Sequence, residues 1–198
     1  MADFKARFLD LLGYVLFDFN FVLYTMIGKI EKEGEIDMDL IIRPMEEKDI
    51  PEVQYVAKKS WNHTYYGIIP KEVQNNFLNL AYSHEMLKKR LEQIIFVAED
   101  KGKIVGFVNL NETNKPNTYD LTAIYLLPDY QGKSIGTQLI EHSIQELEVF
   151  EEIFLEVEKS NINAVNFYKK LGFKIVDEYD DEFDGHVLKT LEMSLSNV

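Results

Sequence analysis

Residues 124–137 read IYLLPDYQGKSIGT, and no other stretch limits the possible folds so sharply. An apolar run stops at Pro128. Gly132 and Gly136 then bracket the start of a segment whose apolar residues, Leu139, Ile140, Ile144 and Leu147, recur at helical spacing. That is a strand turning into an amphipathic helix. The apolar run IFLEVE (153–158) comes next, so the section predicts a parallel, right-handed crossover and an α/β sheet. Successive N–H groups at a helix start, with glycines that let a ligand near the main chain, form an anion cradle. Lys133 adds a positive charge. A P-loop is the rival, because Gly132-Lys133-Ser134 spells GKS. It also needs a glycine five positions before Gly132, where Leu127 stands in the strand. Taken alone, the six residues favour a plain turn into a helix over a pyrophosphate cradle.

The flanking sequence supplies partners for that crossover. Leu40–Arg43 is a short strand closed by Pro44. Glu46–Ser60 has helical spacing, with Pro51 tolerated in its first turn. WNHTYYGIIP (61–70) reads as an aromatic loop, and 71–93 as one or two helices broken near Tyr82-Ser83, where Ser83 caps. IIFVAED (94–100) and KIVGFVNLN (103–111) form a hairpin around Lys101-Gly102. NETNKPNTY (111–119) is a polar loop and LTAIYLL (121–127) a strand. Asn163–Leu171 is a helix ended by Gly172. FKIVDEY (173–179) and HVLKTLEMSL (186–195) are the last strands. The expected fold is a mixed α+β sheet of about seven strands with helices on both faces. Antiparallel hairpins stand at its ends and a parallel pair at its centre.

The first 37 residues differ from the rest. FLDLLGYVLFDFNFVLYTMIG (8–28) is long enough to span a bilayer, but Asp10, Asp18 and Asn20 interrupt it. No small-residue cleavage site follows, so a secretory leader is not expected. Three readings stay open: an anchor, a helical appendage on the core or on a second subunit, or translated upstream sequence ahead of a natural start at Met38. The last stands slightly ahead. The domain itself is expected over 38–198.

Composition narrows the partners. Thirty-four acidic and 21 basic residues leave a net charge of −13, which repels a phosphate backbone and attracts polyamines or lysine-rich tails. Cysteine is absent, so no thiolate nucleophile, disulfide or cysteine-held zinc is possible. The four histidines form no metal-binding pattern, and no metal is expected. These features suit a cytoplasmic protein without nucleic-acid or membrane partners, and leave a homodimer open.

A second motif joins the first. LEVEKSNINAVNFYKKLGF (155–173) runs from a strand through Asn161 into a helix that carries Tyr168 and ends at Gly172. Together with strand–QGKSIG–helix it resembles the GNAT family of acetyl-CoA-dependent N-acetyltransferases, over about residues 40–195. The family pattern Q/R-x-x-G-x-G/A falls on Gln131, Gly132, Lys133, Ser134, Ile135 and Gly136. Ser134 departs from it, standing where the family usually has glycine, and its Cβ restricts the backbone there. Within the family, SWNHTYYGIIP (60–70), YSHEMLKKRL (82–91) and EKSNINAVNFYKKLGF (158–173) are most similar to bacterial spermidine/spermine N-acetyltransferases of the PaiA type.

The resemblance implies acetyl-CoA as co-substrate, with its pyrophosphate on 131–136, its amide arm on Asn161, and main-chain groups of Leu126 on the pantetheine where the parallel strands splay. It implies Tyr168 as the acid that protonates the departing thiolate. The bland alternatives are a core tyrosine at 168, a helix cap at Asn161 and a core residue at 126. An acidic residue at the offset of Asp120 serves several family members as base, and the plain alternative is a solvated strand end. Tyr125 and Glu156 are reserves. Trp61, Tyr65 and Tyr66 fall in the acceptor-lining segment, where aromatic rings hold an alkylammonium by cation–π contact, although a tryptophan is more often core. His63 reads as a surface or capping residue. Six of the eight residues from Asp177 to Asp184 are acidic, which makes a solvated turn or a funnel for a polycation. The expected activity is acetyl transfer by direct attack of a primary amine, a polyamine first. A protein N-terminus or lysine is the alternative acceptor, and a non-catalytic acyl-CoA-binding module the alternative class.

Overall fold

The structure, a computed structural model, describes residues 38–183 and 186–197. The expectations on residues 1–37, and Asp184 of the acidic run, lie outside them. The described residues form a seven-stranded mixed sheet and five α-helices. In chain order these are β1 (Leu40–Pro44), α1 (Ile50–Thr64), α2 (Lys71–Ala81), α3 (His84–Arg90), β2 (Ile94–Asp100), β3 (Lys103–Glu112), β4 (Thr118–Leu126), α4 (Ile135–Gln145), β5 (Glu152–Glu158), α5 (Ile162–Lys170), β6 (Lys174–Phe183) and β7 (His186–Ser196). The strands lie in the order β1-β2-β3-β4-β5-β7-β6. Every neighbouring pair is antiparallel except β4 and β5, the expected crossover pair.

Local chemistry explains the boundaries. Lys101 and Gly102 both hold positive φ, 50° and 79°, which matches the twist of a two-residue hairpin. The Ser83 hydroxyl accepts from the Met86 N–H at 3.3 Å and starts α3. Gly172, at φ 94°, ends α5: its N–H donates to the Lys169 carbonyl and that of Phe173 to the Tyr168 carbonyl, both at 3.1 Å. Arg43 ties three elements together. Its Nη1 and Nη2 donate to both Asp49 oxygens at 2.6 and 2.9 Å, and its Nε donates to Glu99 at 2.8 Å. Asp49 also accepts the Glu46 N–H at 2.9 Å, so one carboxylate joins β1 to the entrance of α1.

Two expectations change. Trp61–Thr64 are the last turn of α1 and not part of a loop, because the helical ladder runs on to the Tyr65 N–H, which donates to the Trp61 carbonyl at 2.9 Å. The strand expected over 173–179 runs on, so that 180–182 are strand and not turn, with Asp180 opposite Lys189 and Glu182 opposite Val187.

The helices cover two faces. Phe107 of β3 meets Tyr82 and Tyr125 on the α1 side, while Phe96 of β2 meets His142 of α4 on the other. Ile50, Val53, Val56 and Ala57 of α1 and Ile135 and Leu139 of α4 are fully buried on their respective sides. Each of the isoleucine, leucine and valine side chains contributes about 1.5–3 kcal/mol by leaving water, and the Ala57 methyl about 0.8 kcal/mol.

Candidate active site

The sheet opens where its two halves meet. β4 and β5 pair only from Thr118 to Asp120 opposite Glu152 to Phe154. Past that point they diverge, and half of the main-chain groups of residues 121–126 face the wedge between them. Gly106 on β3 lets the strand lie this way, since a Cβ there would come within 2.2 Å of the Leu126 side chain and 2.9 Å of the Tyr125 carbonyl oxygen. The C-terminal end of parallel strands, where topology switches direction, is where open α/β sheets place ligands.

A β-bulge sets which side chains meet. Ala123 lies opposite Asn109, but Leu121 lies opposite Leu110, so Thr122 is an extra residue in β4. Alternation resets across it. Asp120 and Tyr125, five apart in sequence, therefore share the α1 face. Glu156, two residues beyond Phe154 on β5, and Glu192, directly opposite Glu156 on β7, lie on it as well. Glu156 accepts the Tyr179 hydroxyl at 2.5 Å. Burial, and then the Glu156 charge, raise the Asp120 carboxyl above its ordinary value.

Residues 131–136 lie just beyond the C-terminal end of β4. Pro128–Tyr130 is a 3-10 turn, and the Tyr130 hydroxyl anchors it by donating to Asp100 at 2.9 Å. Gly132 and Ser134 hold left-handed backbone, at φ 74° and 61°. The α4 ladder begins when the Gln138 N–H reaches the Ser134 carbonyl at 3.0 Å, so the N–H groups of 135–137 point out of the helix end. Space around Gly132 is open, whereas a Cβ on buried Gly136 would meet Phe167 of α5 at 3.2 Å and Leu126 at 3.5 Å. Gln131, Gly132 and Ser134 are exposed and Lys133 is half-buried, its ammonium 5.0 Å from the centre of the Tyr130 ring. Open glycine space, outward N–H groups and one ammonium fit a pyrophosphate. Gly136 serves helix packing, and Ile135 is core.

Asn161 is the N-cap of α5, its side-chain oxygen accepting the Ala164 N–H at 3.2 Å, which leaves its NH₂ group for other partners. Tyr168 is 9% exposed, packed edge-on against Phe173. Burial first, then Tyr125 and Tyr65, push its phenol well above the ordinary tyrosine value. Tyr65 is pushed up likewise, by burial and then by Tyr125 and Glu158. Three phenols thus share one electrostatic neighbourhood. Trp61, 6% exposed, stacks on Phe77 at 4.3 Å and lies 4.5 Å from Tyr65. Tyr66 does not join this wall. It is 87% exposed. Exposed His63 sits in the last turn of α1. Sequence reasoning missed Gly106, Thr122, Tyr82 and Glu192, none of which belongs to a short motif. The pairing of Glu192 with Glu156 follows only from the strand order.

Residues 56–173 match the acetyltransferase (GNAT) family. The chain belongs to the GNAT acetyltransferases. It is 30% identical to the spermidine N(1)-acetyltransferase of Thermoplasma acidophilum over 155 residues, covering 74% of this chain and 95% of that one. It is 38% identical to the N-alpha-acetyltransferase of Sulfurisphaera tokodaii over 101 residues, 44% of this chain and 60% of that one. Among solved structures it is similar to the PaiA N-acetyltransferase of T. acidophilum in complex with coenzyme A. The TM-score is 0.69 at 27% identity, covering 81% of this chain and all of that one. This GNAT enzyme is an N-acetyltransferase whose acetyl donor is acetyl-CoA. Among the described residues, no helix is long and apolar enough to cross a membrane.

Proposed function

We propose that the acceptor is a primary amine on a polycation, of the spermidine or spermine kind. The observation that carries this reading is the shared sheet face. Asp120, Glu156 and Glu192 line it beside Trp61, Tyr65 and Tyr125, so carboxylates and aromatic rings flank the same wedge. An alkylammonium chain finds ion pairing on one side and cation–π contact on the other. Glu156 and Glu192, like charges directly opposed, repel each other until a cation comes between them. The spermidine-acetylating relatives support the same choice.

The roles follow from position. Residues 131–136 hold the pyrophosphate, with Lys133 as the fixed charge, and the Asn161 amide and the Leu126 main chain hold the arm. A protonated amine is no nucleophile. Asp120, at the vertex of the wedge with its carboxyl raised, takes that proton directly or through water. The amine then attacks the acetyl carbonyl carbon, and Tyr168 protonates the departing sulfur. The raised Tyr168 phenol holds its proton firmly, so it gives it up only as negative charge develops on the sulfur. Acetylation of a protein N-terminus is the second reading, favoured by the likeness to the Sulfurisphaera enzyme. A panel of polyamines, monoamines and N-terminal peptides, assayed with acetyl-CoA, tests both. Spermidine or spermine should give the highest kcat/KM. A peptide substrate with no polyamine turnover would overturn the first reading.

A further inference from the structure

The lysine of the cradle does not reach freely into solvent. Lys133 is half-buried between exposed Gly132 and Ser134, and its ammonium stands 5.0 Å from the centre of the Tyr130 ring. That is within the roughly 6 Å over which a ring face attracts a cation. Among the described residues Lys133 forms no ion pair. A carboxylate partner would cancel the charge and compete with an incoming anion. An aromatic face restrains the ammonium and leaves its charge uncancelled.

The ring is itself held at two ends. The Tyr130 N–H donates to the Leu127 carbonyl at 2.9 Å, which closes the 3-10 turn after β4. The Tyr130 hydroxyl donates to Asp100 Oδ2 at 2.9 Å. Asp100 is the last residue of β2 and 8% exposed, and its other oxygen accepts the Asp39 N–H at 3.0 Å. Swinging the ring away would leave a nearly buried carboxylate oxygen without its donor, which is costly. A tyrosine that only filled space beside the turn would need no such anchor. Asp100 therefore fixes the ring, and the ring restrains Lys133.

We propose that Tyr130 is a positioning residue for the acetyl donor, whose ring, anchored on Asp100, holds the Lys133 ammonium beside the 131–136 main chain for the pyrophosphate. The inference rests on the reading of 131–136 as the pyrophosphate cradle. An unrestrained lysine gives up its rotamer freedom when an anion captures it. Here the ring imposes that loss during folding, so the anion meets a charge already in place. Tyr130 acts only through Lys133. It bears on donor binding and leaves the chemical step alone.

The test measures CoA binding to the full chain by titration calorimetry. Tyr130→Leu should weaken binding about 2- to 5-fold, and Lys133→Met at least as much. The double variant should bind no worse than Lys133→Met, because without the lysine the ring has nothing to hold. Dephospho-CoA, which keeps the pyrophosphate, should show the same losses. Tyr130→Phe keeps the ring and loses only its anchor, so it should fall between wild type and Tyr130→Leu, and it carries the same cycle if Tyr130→Leu does not fold. In turnover, KM for acetyl-CoA should rise in Tyr130→Leu with kcat little changed. S-acetylpantetheine, which lacks the pyrophosphate, should serve variant and wild type equally. Losses that add in the double variant, or a deficit shared with S-acetylpantetheine, would mean that Tyr130 only shapes the turn and overturn the proposal. Unchanged CoA binding in either single variant would overturn it too, as would a loss seen with CoA and not with dephospho-CoA. If wild type uses acetyl-CoA no better than S-acetylpantetheine, the cradle reading itself falls and takes this inference with it.

Discussion

Ser134 holds φ 61° and ψ 5°, a conformation in which a Cβ meets the neighbouring carbonyl oxygen. The strain is about 1–2 kcal/mol for an L-residue, and glycine avoids it while losing about half that in chain entropy. Ser134→Gly is therefore expected to raise stability by up to about 1 kcal/mol, read as Tm, and to tighten acetyl-CoA binding by relaxing the cradle. A lower Tm would show that the hydroxyl supplies more than the backbone loses.

Asp120 makes the other prediction at this scale. Its carboxyl is raised by burial and by Glu156, so it stays protonated to higher pH than an ordinary aspartate. If it is the base, kcat/KM rises with pH through that raised value. Glu156→Gln removes one cause, and the acidic limb should move to lower pH. Asp120→Asn should abolish the limb and cost about 10²–10⁴-fold in rate. A limb that stays in place in both variants would assign the proton to another group. Much at this scale is written in the chain. Gly132, Asn161, Gly172 and Ser83 all announce backbone jobs that their residue types do best. Tyr66 misleads, because its neighbour Tyr65 has the same chemistry and only the end of α1 decides which ring turns inward.

At the scale of elements, strand and helix positions follow the apolar periodicity closely, and the exceptions have causes. Apart from Thr122 and the Tyr125 hydroxyl LTAIYLL is apolar, so it shows no period-two alternation in which the extra residue Thr122 would stand out. The acidic residues 180–182 look like a turn because their charges hide the continuation of a strand whose partner lies in β7. As an edge strand it gains from those charges, which deter pairing with another sheet. The entrance to α1 yields a stability prediction. Burial alone would raise the Asp49 carboxyl, but the Arg43 hydrogen bonds and the Glu46 N–H outweigh it and hold it below its ordinary value. A carboxyl lowered by folding stabilises the protein above its unfolded pKa, near 4, and that contribution is lost as pH falls further. Asp49→Asn should cost about 2–4 kcal/mol at neutral pH in denaturant unfolding, and much less at pH 3. An equal loss at both values would point to shape and not charge.

Across the whole molecule the charge is −13, and the hairpin β6–β7 carries part of it at the outer edge of the sheet. Not all of that hairpin attracts a ligand. Lys159 engages Glu178 at 2.5 Å and Lys189 engages Asp180 at 2.9 Å, so under the proposed polyamine reading any steering by this hairpin is expected from Asp177, Asp181 and Glu182. The advantage of spermidine over a neutral-tailed monoamine should shrink as salt rises and screening shortens to about 8–10 Å. Asp181→Asn with Glu182→Gln should reduce it mostly through KM. A polyamine advantage that ignores salt would mean contact alone selects the substrate.

The sheet is two half-sheets, of four strands and three, whose backbones are laced together by three residue pairs. A ligand arm laid along 121–126 would stand where further pairs between the halves are missing, so acetyl-CoA is expected to slow proteolysis of the purified protein, as any ligand that binds only the native state does.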